Sequence, residues 1–258
     1  MASLALRPSE KRRFDSGGEM SERDGCAVMS RCHAATCPSV TVIHPLEPAL
    51  RAGLAALGLP LTDGQVAQLL DYLALLQKWN KVYNLTAVRG PDDMLTYHLL
   101  DSLAVIRPLL RHVNGRRVRL LDVGSGGGLP GAVVAICCPN IEVDCVDTVA
   151  KKAAFLRQVA SGLGLANLHG LHDRVEHLAG PYDVIASRAF ASLPDFISWS
   201  SGALAADGVW MAMKGKLPDD EIAALATSVT VFHVEQLTVP GLAASRCLIW
   251  LRPTADVT

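Results

Sequence analysis

The residues best suited to chemistry lie in one short run, DVGSGGGLPG (122–131), set between an apolar segment and a helix-like one. Glycines let a backbone approach a ligand closely, and Pro130 suits the first turn of a helix, where a missing N–H costs nothing. A nucleotide-like ligand is expected across such a turn. Gly126, Gly128 and Gly131 also satisfy G-x-G-x-x-G, so the loop by itself leaves NAD open. Two carboxylates narrow the choice. Asp122, two residues before Gly124, can orient an amine-bearing or cationic ligand better than a pyrophosphate. Asp147 closes the next apolar run, where a carboxylate can accept both hydroxyls of a ribose. Both features fit S-adenosylmethionine. The plain alternative is a tight turn, with Asp147 capping the helix ahead of Lys151.

The elements that must position these residues can be read from periodicity. VRLLDV (118–123) and IEVDCVD (141–147) are short apolar strands, and LPGAVVAICC and the stretch from Lys151 to Leu163 are helical. NLHGL, YDVIASRA and GVWMAMKG continue the alternation. Repeated βα units with near-continuous apolar strands imply a parallel sheet covered on both faces. TVFHVEQLTV and SRCLIWLRP, joined through Pro240 and Gly241, read as two antiparallel edge strands. Before this region, Thr62 and Gln65 have capping-box spacing, and Val66, Leu69, Leu70, Leu73 and Leu76 repeat at helical intervals. A second helical stretch runs from Asp92 to Leu110, ending around Arg107 and Pro108. The expected organisation is a flexible extension over 1–45, a helical cap over 46–112 and an α/β domain over 113–258.

Composition sets limits on partners. The 258 residues carry a formal charge of −1, so a polyanion must be met by a local basic patch rather than a whole-molecule field. At 50% hydrophobic and 19% charged, the chain can bury a core. Its apolar stretches are interrupted well before the ~18 residues of a membrane span. Seven scattered cysteines suit a reducing cytosol, and the N-terminus lacks an apolar signal region, so the expected location is cytoplasmic. Cys26, Cys32, His33 and Cys37 depart from paired zinc-site spacing, and no metal is expected.

The runs KWNKVYNLTAV (78–88), HLLDSL (98–103), LLDVGSGGGLPG (120–131), VDTVAKKAAFLRQV (146–159), DRVE (173–176), SRAFASL (187–193) and MKGKLPDDEI (213–222) resemble the ribosomal RNA small subunit methyltransferase G family, also called glucose-inhibited division protein B. The resemblance covers about residues 46–252. It implies a class I, Rossmann-like, S-adenosylmethionine-dependent methyltransferase fold that methylates N7 of one guanine in 16S ribosomal RNA, with naked RNA or the 30S subunit as partner, working as a monomer. It further implies cofactor contacts at Gly124, Leu129, Val175, Glu176 and Arg188. Gly127 and Gly128 replace a more varied pair of the family loop, and Thr148 stands where Ser is frequent; neither removes a contact.

Guanine N7 has an available lone pair and no proton to remove, so no general base is required and no separate catalytic residue is assigned. In-line placement of N7, methyl and sulfur then supplies most of the rate. Gly124 and Gly126 are expected to let the methionine part pass, Asp122 to bind its amino group, Asp147 to hold the ribose, and Val175 and Glu176 to meet the adenine edge. Arg188 faces the cofactor carboxylate or an RNA phosphate. Cys137, Cys138 and Cys145 read as core thiols. Basic clusters at Arg111, His112, Arg116, Arg117 and Arg119, at Lys151, Lys152 and Arg157, and at Lys214 and Lys216 are candidate phosphate contacts. Lys78, Asn80, Lys81, Asn84, His98 and Asp101 form a candidate polar wall at the pocket mouth, while Trp79 and Tyr83 read as core.

Overall fold

The computed structural model describes residues 44–254. The group at Cys26, Cys32, His33 and Cys37, and all but the last two residues of the expected extension, lie outside the described residues.

Two helices open the fold, α1 (Glu47–Leu57) and α2 (Asp63–Tyr83). The expected capping box is present: Thr62 accepts the N–H of Gln65, and the Gln65 side chain accepts the N–H of Thr62. Gly58 and Asn84, both in the left-handed conformation, end these helices. A continuous helical run follows: α3 (Pro91–Met94), a π-helical turn (Leu95–Leu100) and α4 (Asp101–Leu103). The chain then breaks at Ala104 and Val105 and restarts as α5 (Ile106–Val113). Pro108 therefore stands in the first turn of a helix and does not end one, because its absent N–H is among those the first turn leaves unpaired anyway.

The remainder alternates: β1 (Val118–Val123), α6 (Gly131–Cys137), β2 (Ile141–Asp147), α7 (Ala150–Leu163), β3 (Leu168–His172), a 3-10 turn (Val175–His177), β4 (Tyr182–Arg188), α8 (Leu193–Ser200), β5 (Leu204–Lys214), α9 (Asp219–Ala223), β6 (Val229–Gln236) and β7 (Cys247–Pro253). These strands form one seven-stranded sheet in the order β3-β2-β1-β4-β5-β7-β6. The first five are parallel, while β7 pairs antiparallel with β5 and β6. Only β6 is thus an edge at this end. β7, whose residues Cys247 to Leu251 are all buried, is inserted inside it, since a strand apolar on both faces needs cover on both. β6, alternating in exposure, tolerates the rim.

Apolar residues of the N-terminal helices, such as Leu50, Leu69, Leu73, Leu99 and Leu103, belong to the same buried cluster as Leu120, Val143 and Trp250 of the sheet. A second cluster, with Leu121, Ile185, Phe196 and Trp210, fills the opposite face under α8. Alternate strand residues therefore serve different cores. The order β3-β2-β1-β4 reverses direction between β1 and β4, and it opens a crevice at the carboxyl ends of these strands, where the glycine turn lies.

Candidate cofactor and substrate site

The glycine turn joins β1 to α6 under tight steric limits. A Cβ at Gly131 would overlap Cys145 Sγ and stand 2.8 Å from Asp122 Oδ2, so only glycine lets α6 seat this close to the sheet. Gly124, Gly126 and Gly128 have positive φ of 66°, 57° and 87°, which favours glycine at each. Tyr72 of α2, fully buried, donates its hydroxyl to the Gly127 carbonyl at 2.7 Å and ties the helical region to the loop.

Asp122 does not face a ligand. It is fully buried, one carboxylate oxygen accepts the N–H of Gly131 at 2.9 Å, and the other has no partner. Burial pushes its pKa up to about 7 against the opposing pull of the Gly131 N–H. The side chain lines neither cavity at the turn and anchors the start of α6 behind the loop, which does not fit the expected contact with a cofactor amino group.

Two cavities meet at this turn. One, of about 470 Å³, is lined by Gly124, Asp147, Thr148, Val149, Lys152, Val175, Glu176, Phe190 and Trp199 among others. In it Asp147 Oδ2 accepts from Gly126 N–H and Lys152 Nζ, each at 3.1 Å, and Oδ1 accepts from Val149 N–H at 2.9 Å. Oδ1 retains one lone pair, and Lys152 is a flexible partner that a ribose hydroxyl can replace. Val175 is buried at the cavity wall, whereas Glu176 stands exposed, its pKa lowered by backbone hydrogen bonding and then by Arg174, paired with it at 3.0 Å. The other cavity, of about 490 Å³, is lined by Gly124, Gly126, Leu129, Tyr97, His98, Asp101, Arg188, Lys214 and Arg246 among others. Of the eight residues expected at the cofactor, all but Asp122 therefore line one cavity or the other, and Gly124 lines both.

The space fits S-adenosylmethionine on this chain's own features. A carboxylate with a spare lone pair stands at the end of β2 beside a nucleoside-sized, partly apolar hollow. Across the bare Cα of Gly124 lies a second hollow that holds cations.

Two features, and the partners of a third, escape sequence reasoning. Arg246 precedes an antiparallel strand, so the start of β7 comes back to the carboxyl ends of the parallel ones. Trp199 and Phe190 meet edge to face at 5.8 Å on the rim of the first cavity. Asp101, nearly fully buried, accepts from Arg188 Nη1 at 2.9 Å and from Arg246 Nε at 2.8 Å. Breaking such a partly buried triad at its centre costs about 3–5 kcal/mol.

Other expectations hold only in part. Arg111, His112, Arg116, Arg117 and Arg119 precede or begin β1 and so occupy the end of the sheet opposite the glycine turn; Arg119 packs over Tyr182 and pairs with Asp144 at 3.0 Å. Arg157 is tied to the Gly170 carbonyl and Lys214 to Glu221 and the Ala191 carbonyl. Of the polar wall, only His98 and Asp101 line the cavity, because Asn80 instead bonds Thr86 N–H and the Val88 carbonyl and fixes the loop after α2. Trp79 packs on Phe155 at 5.4 Å, while Tyr83 remains partly exposed. Burial raises the thiol pKa of Cys137, Cys145 and Cys138, the last to about 11, which leaves them unreactive at neutral pH.

This topology and turn define a class I S-adenosylmethionine-dependent methyltransferase. A solved structure of a mutant of MtNAS shares the fold, with a TM-score of 0.50 at 14% identity over 79% of this chain and 81% of that one. Residues 65–249 match the model of the family described as rRNA small subunit methyltransferase G, and the chain belongs to that family. Proteins named ribosomal RNA small subunit methyltransferase G from Acidovorax ebreus (strain TPSY) and Albidiferax ferrireducens are 68% and 66% identical to it, over 84% and 83% of this chain and 100% of each relative.

Proposed function

We propose that this enzyme transfers the methyl group of S-adenosylmethionine to N7 of a guanine in 16S ribosomal RNA. Membership of the family carries the reaction class, and the observation that supports the chemistry is the pair of cavities joined across Gly124, with no cysteine of the described residues lining either. When bound, the cofactor supplies a sulfonium methyl. Asp147 holds the ribose, Val175 and Glu176 border the adenine, and Gly124 and Gly126 leave room for the methionine part. Leu129 covers that part, and Arg188 meets its carboxylate.

The reaction at N7 removes no proton, so the chain's task is alignment, and well-oriented reactants gain about 7–11 kcal/mol of barrier that way. His98, whose pKa burial and the nearby Arg188 push down, stays neutral and adds no charge against a methylated, cationic guanine. Residues 46–112 act as the helical cap that ties the glycine loop down through Tyr72. No helix among the described residues is long and apolar enough to cross a membrane. A ribosomal substrate puts the work in the cytoplasm, and a single chain contains every residue assigned here.

Incubation with labelled S-adenosylmethionine and either 30S subunits or naked 16S RNA from cells lacking the gene, followed by mapping, tests this. Label on one guanine N7 is expected. No incorporation into either substrate, or label on an exocyclic amine, overturns it.

A further inference from the structure

We propose that the cavity across Gly124 from Asp147 receives the acceptor guanine, and that Asp101 is its positioning residue, holding Arg246 so that one free nitrogen meets O6 while N7 stays open. The inference rests on the guanine-N7 reading above.

The two cavities share Gly124 and Ala189. A cofactor whose nucleoside lies at Asp147 and whose methionine part crosses Gly124 carries its sulfonium methyl between the two, at the mouth of the second cavity, so the acceptor must enter there beside the methionine part. What it meets is cationic. Arg188 and Arg246 share the single Asp101 carboxylate, and Lys214 is already committed to Glu221 and the Ala191 carbonyl. Tyr97, about half exposed at the rim, offers a ring face to a base, and its carbonyl accepts from Arg188 Nη1 at 3.1 Å.

Guanine displays two acceptors, N7 and O6, on one edge, and an arginine that engages both is the commonest specific contact to that base. In a guanine-N7 methyltransferase the same contact would block the reacting atom. The guanidinium of Arg246 is restrained from making it. Its Nε donates to Asp101 Oδ1 at 2.8 Å, and its Nη1 donates to the Ser245 carbonyl at 2.9 Å. A two-pronged contact uses either Nε with Nη2, where the single Nε hydrogen is taken by Asp101, or Nη1 with Nη2, where Nη1 keeps one of its two hydrogens but is held toward the Ser245 carbonyl. Among the described residues the hydrogen bonds and ion pair of Arg246 run through Nε and Nη1, which leaves Nη2 for one acceptor. Adenine, with an amino group in place of O6, would set donor against donor. Asp101 is what fixes this arrangement: both its oxygens are used, one by each arginine, and it is 3% exposed.

The test compares small-subunit RNA carrying guanine or 2-aminopurine, which lacks O6, at the acceptor position. If the unaltered enzyme methylates neither, the function proposed above fails. If it methylates the guanine RNA, loss of O6 is expected to lower kcat/KM by about 10- to 100-fold, the range for a hydrogen bond from a charged donor. Arg246→Ala is expected to lose a similar factor on guanine RNA, to show no further loss with 2-aminopurine, and to keep the cofactor Kd within about twofold of the parent by calorimetry. Asp101→Asn, checked for an intact melting transition, is expected to shrink the guanine to 2-aminopurine ratio toward one. Arg246→Ala decides alone if that variant does not fold. Equal transfer to both RNAs by the unaltered enzyme, full discrimination by Arg246→Ala, or a cofactor Kd that worsens as much as kcat/KM in that variant would each overturn the proposal.

Discussion

Asp147 Oδ2 accepts the N–H of Gly126 at 3.1 Å, so the carboxylate that ends β2 and the glycine turn that ends β1 are one hydrogen-bonded unit. Neighbouring parallel strands deliver both to the same edge of the sheet, with Asp122 paired to Cys145 and Val123 to Val146 just before them. The carboxylate therefore shapes the loop and faces the cavity at once.

Asp147→Ala consequently removes a ribose acceptor and releases Gly126, Val149 and Lys152 together. Cofactor affinity is expected to fall by about 10- to 100-fold, the span of a charged hydrogen bond. Asp147→Asn, which retains one oxygen, should lose less. Calorimetric titration with S-adenosylhomocysteine measures both, and an unchanged Kd for the alanine variant would refute the ribose role.

Gly124 and Gly126 both have positive φ, yet their surroundings differ. A Cβ at Gly124 would overlap the Phe190 ring at Cδ2, whereas one at Gly126 meets nothing closer than the Gly124 carbonyl at 3.9 Å. Gly126→Ala carries only the left-handed penalty of about 1–2 kcal/mol. Gly124→Ala adds a packing clash, for a total of about 2–5 kcal/mol. The expected order of melting temperatures is parent, Gly126→Ala, Gly124→Ala, and equal losses would show that Phe190 yields freely.

Asp122 gives stability a pH dependence with a defined sign. Burial raises its folded pKa from the ordinary 3.8 to about 7, so the unfolded chain releases this proton first. Its contribution is fully present below pH ~4 and is lost as pH rises through about 7. Asp122→Asn cannot ionise and can still accept from Gly131 N–H. The variant's melting temperature relative to the parent is therefore expected to rise between pH 5 and pH 8. A difference constant across that range would mean that Asp122 is ionised throughout.

Much of this was legible in the sequence, for reasons that also explain the rest. Local signals marked the Thr62 capping box, the alternation from β1 to β5 and the glycine turn, because each depends on residues close in the chain. The crevice residues Gly124, Gly126, Leu129, Asp147, Val175, Glu176 and Arg188 follow from strand ends or from the family resemblance, and all line the two cavities. What stayed hidden depends on pairing between distant segments. The insertion of β7 inside the sheet brings Arg246 to Asp101, and no spacing within SRCLIWLRP reveals it. Composition also cannot say that Asp122 lies behind the loop, or that the Arg111–Arg119 cluster belongs to the other end of the sheet.

Trp199 offers an optical report on the first cavity. Of the four tryptophans, Trp210 and Trp250 are buried at 2% and 3% exposure and Trp79 is packed on Phe155, while Trp199 is 40% exposed on the cavity rim beside Phe190. An adenine seated between Val149 and Val175 would come within reach of its indole, and base–aromatic stacking is worth about 1–3 kcal/mol. Cofactor binding is therefore expected to change the tryptophan emission, and Trp199→Phe should abolish most of that change. Trp199→Ala should weaken binding by roughly 5- to 100-fold, the equivalent of that stacking energy. A full emission change that persists in Trp199→Phe would assign the signal to another tryptophan and leave α8 outside the cofactor site.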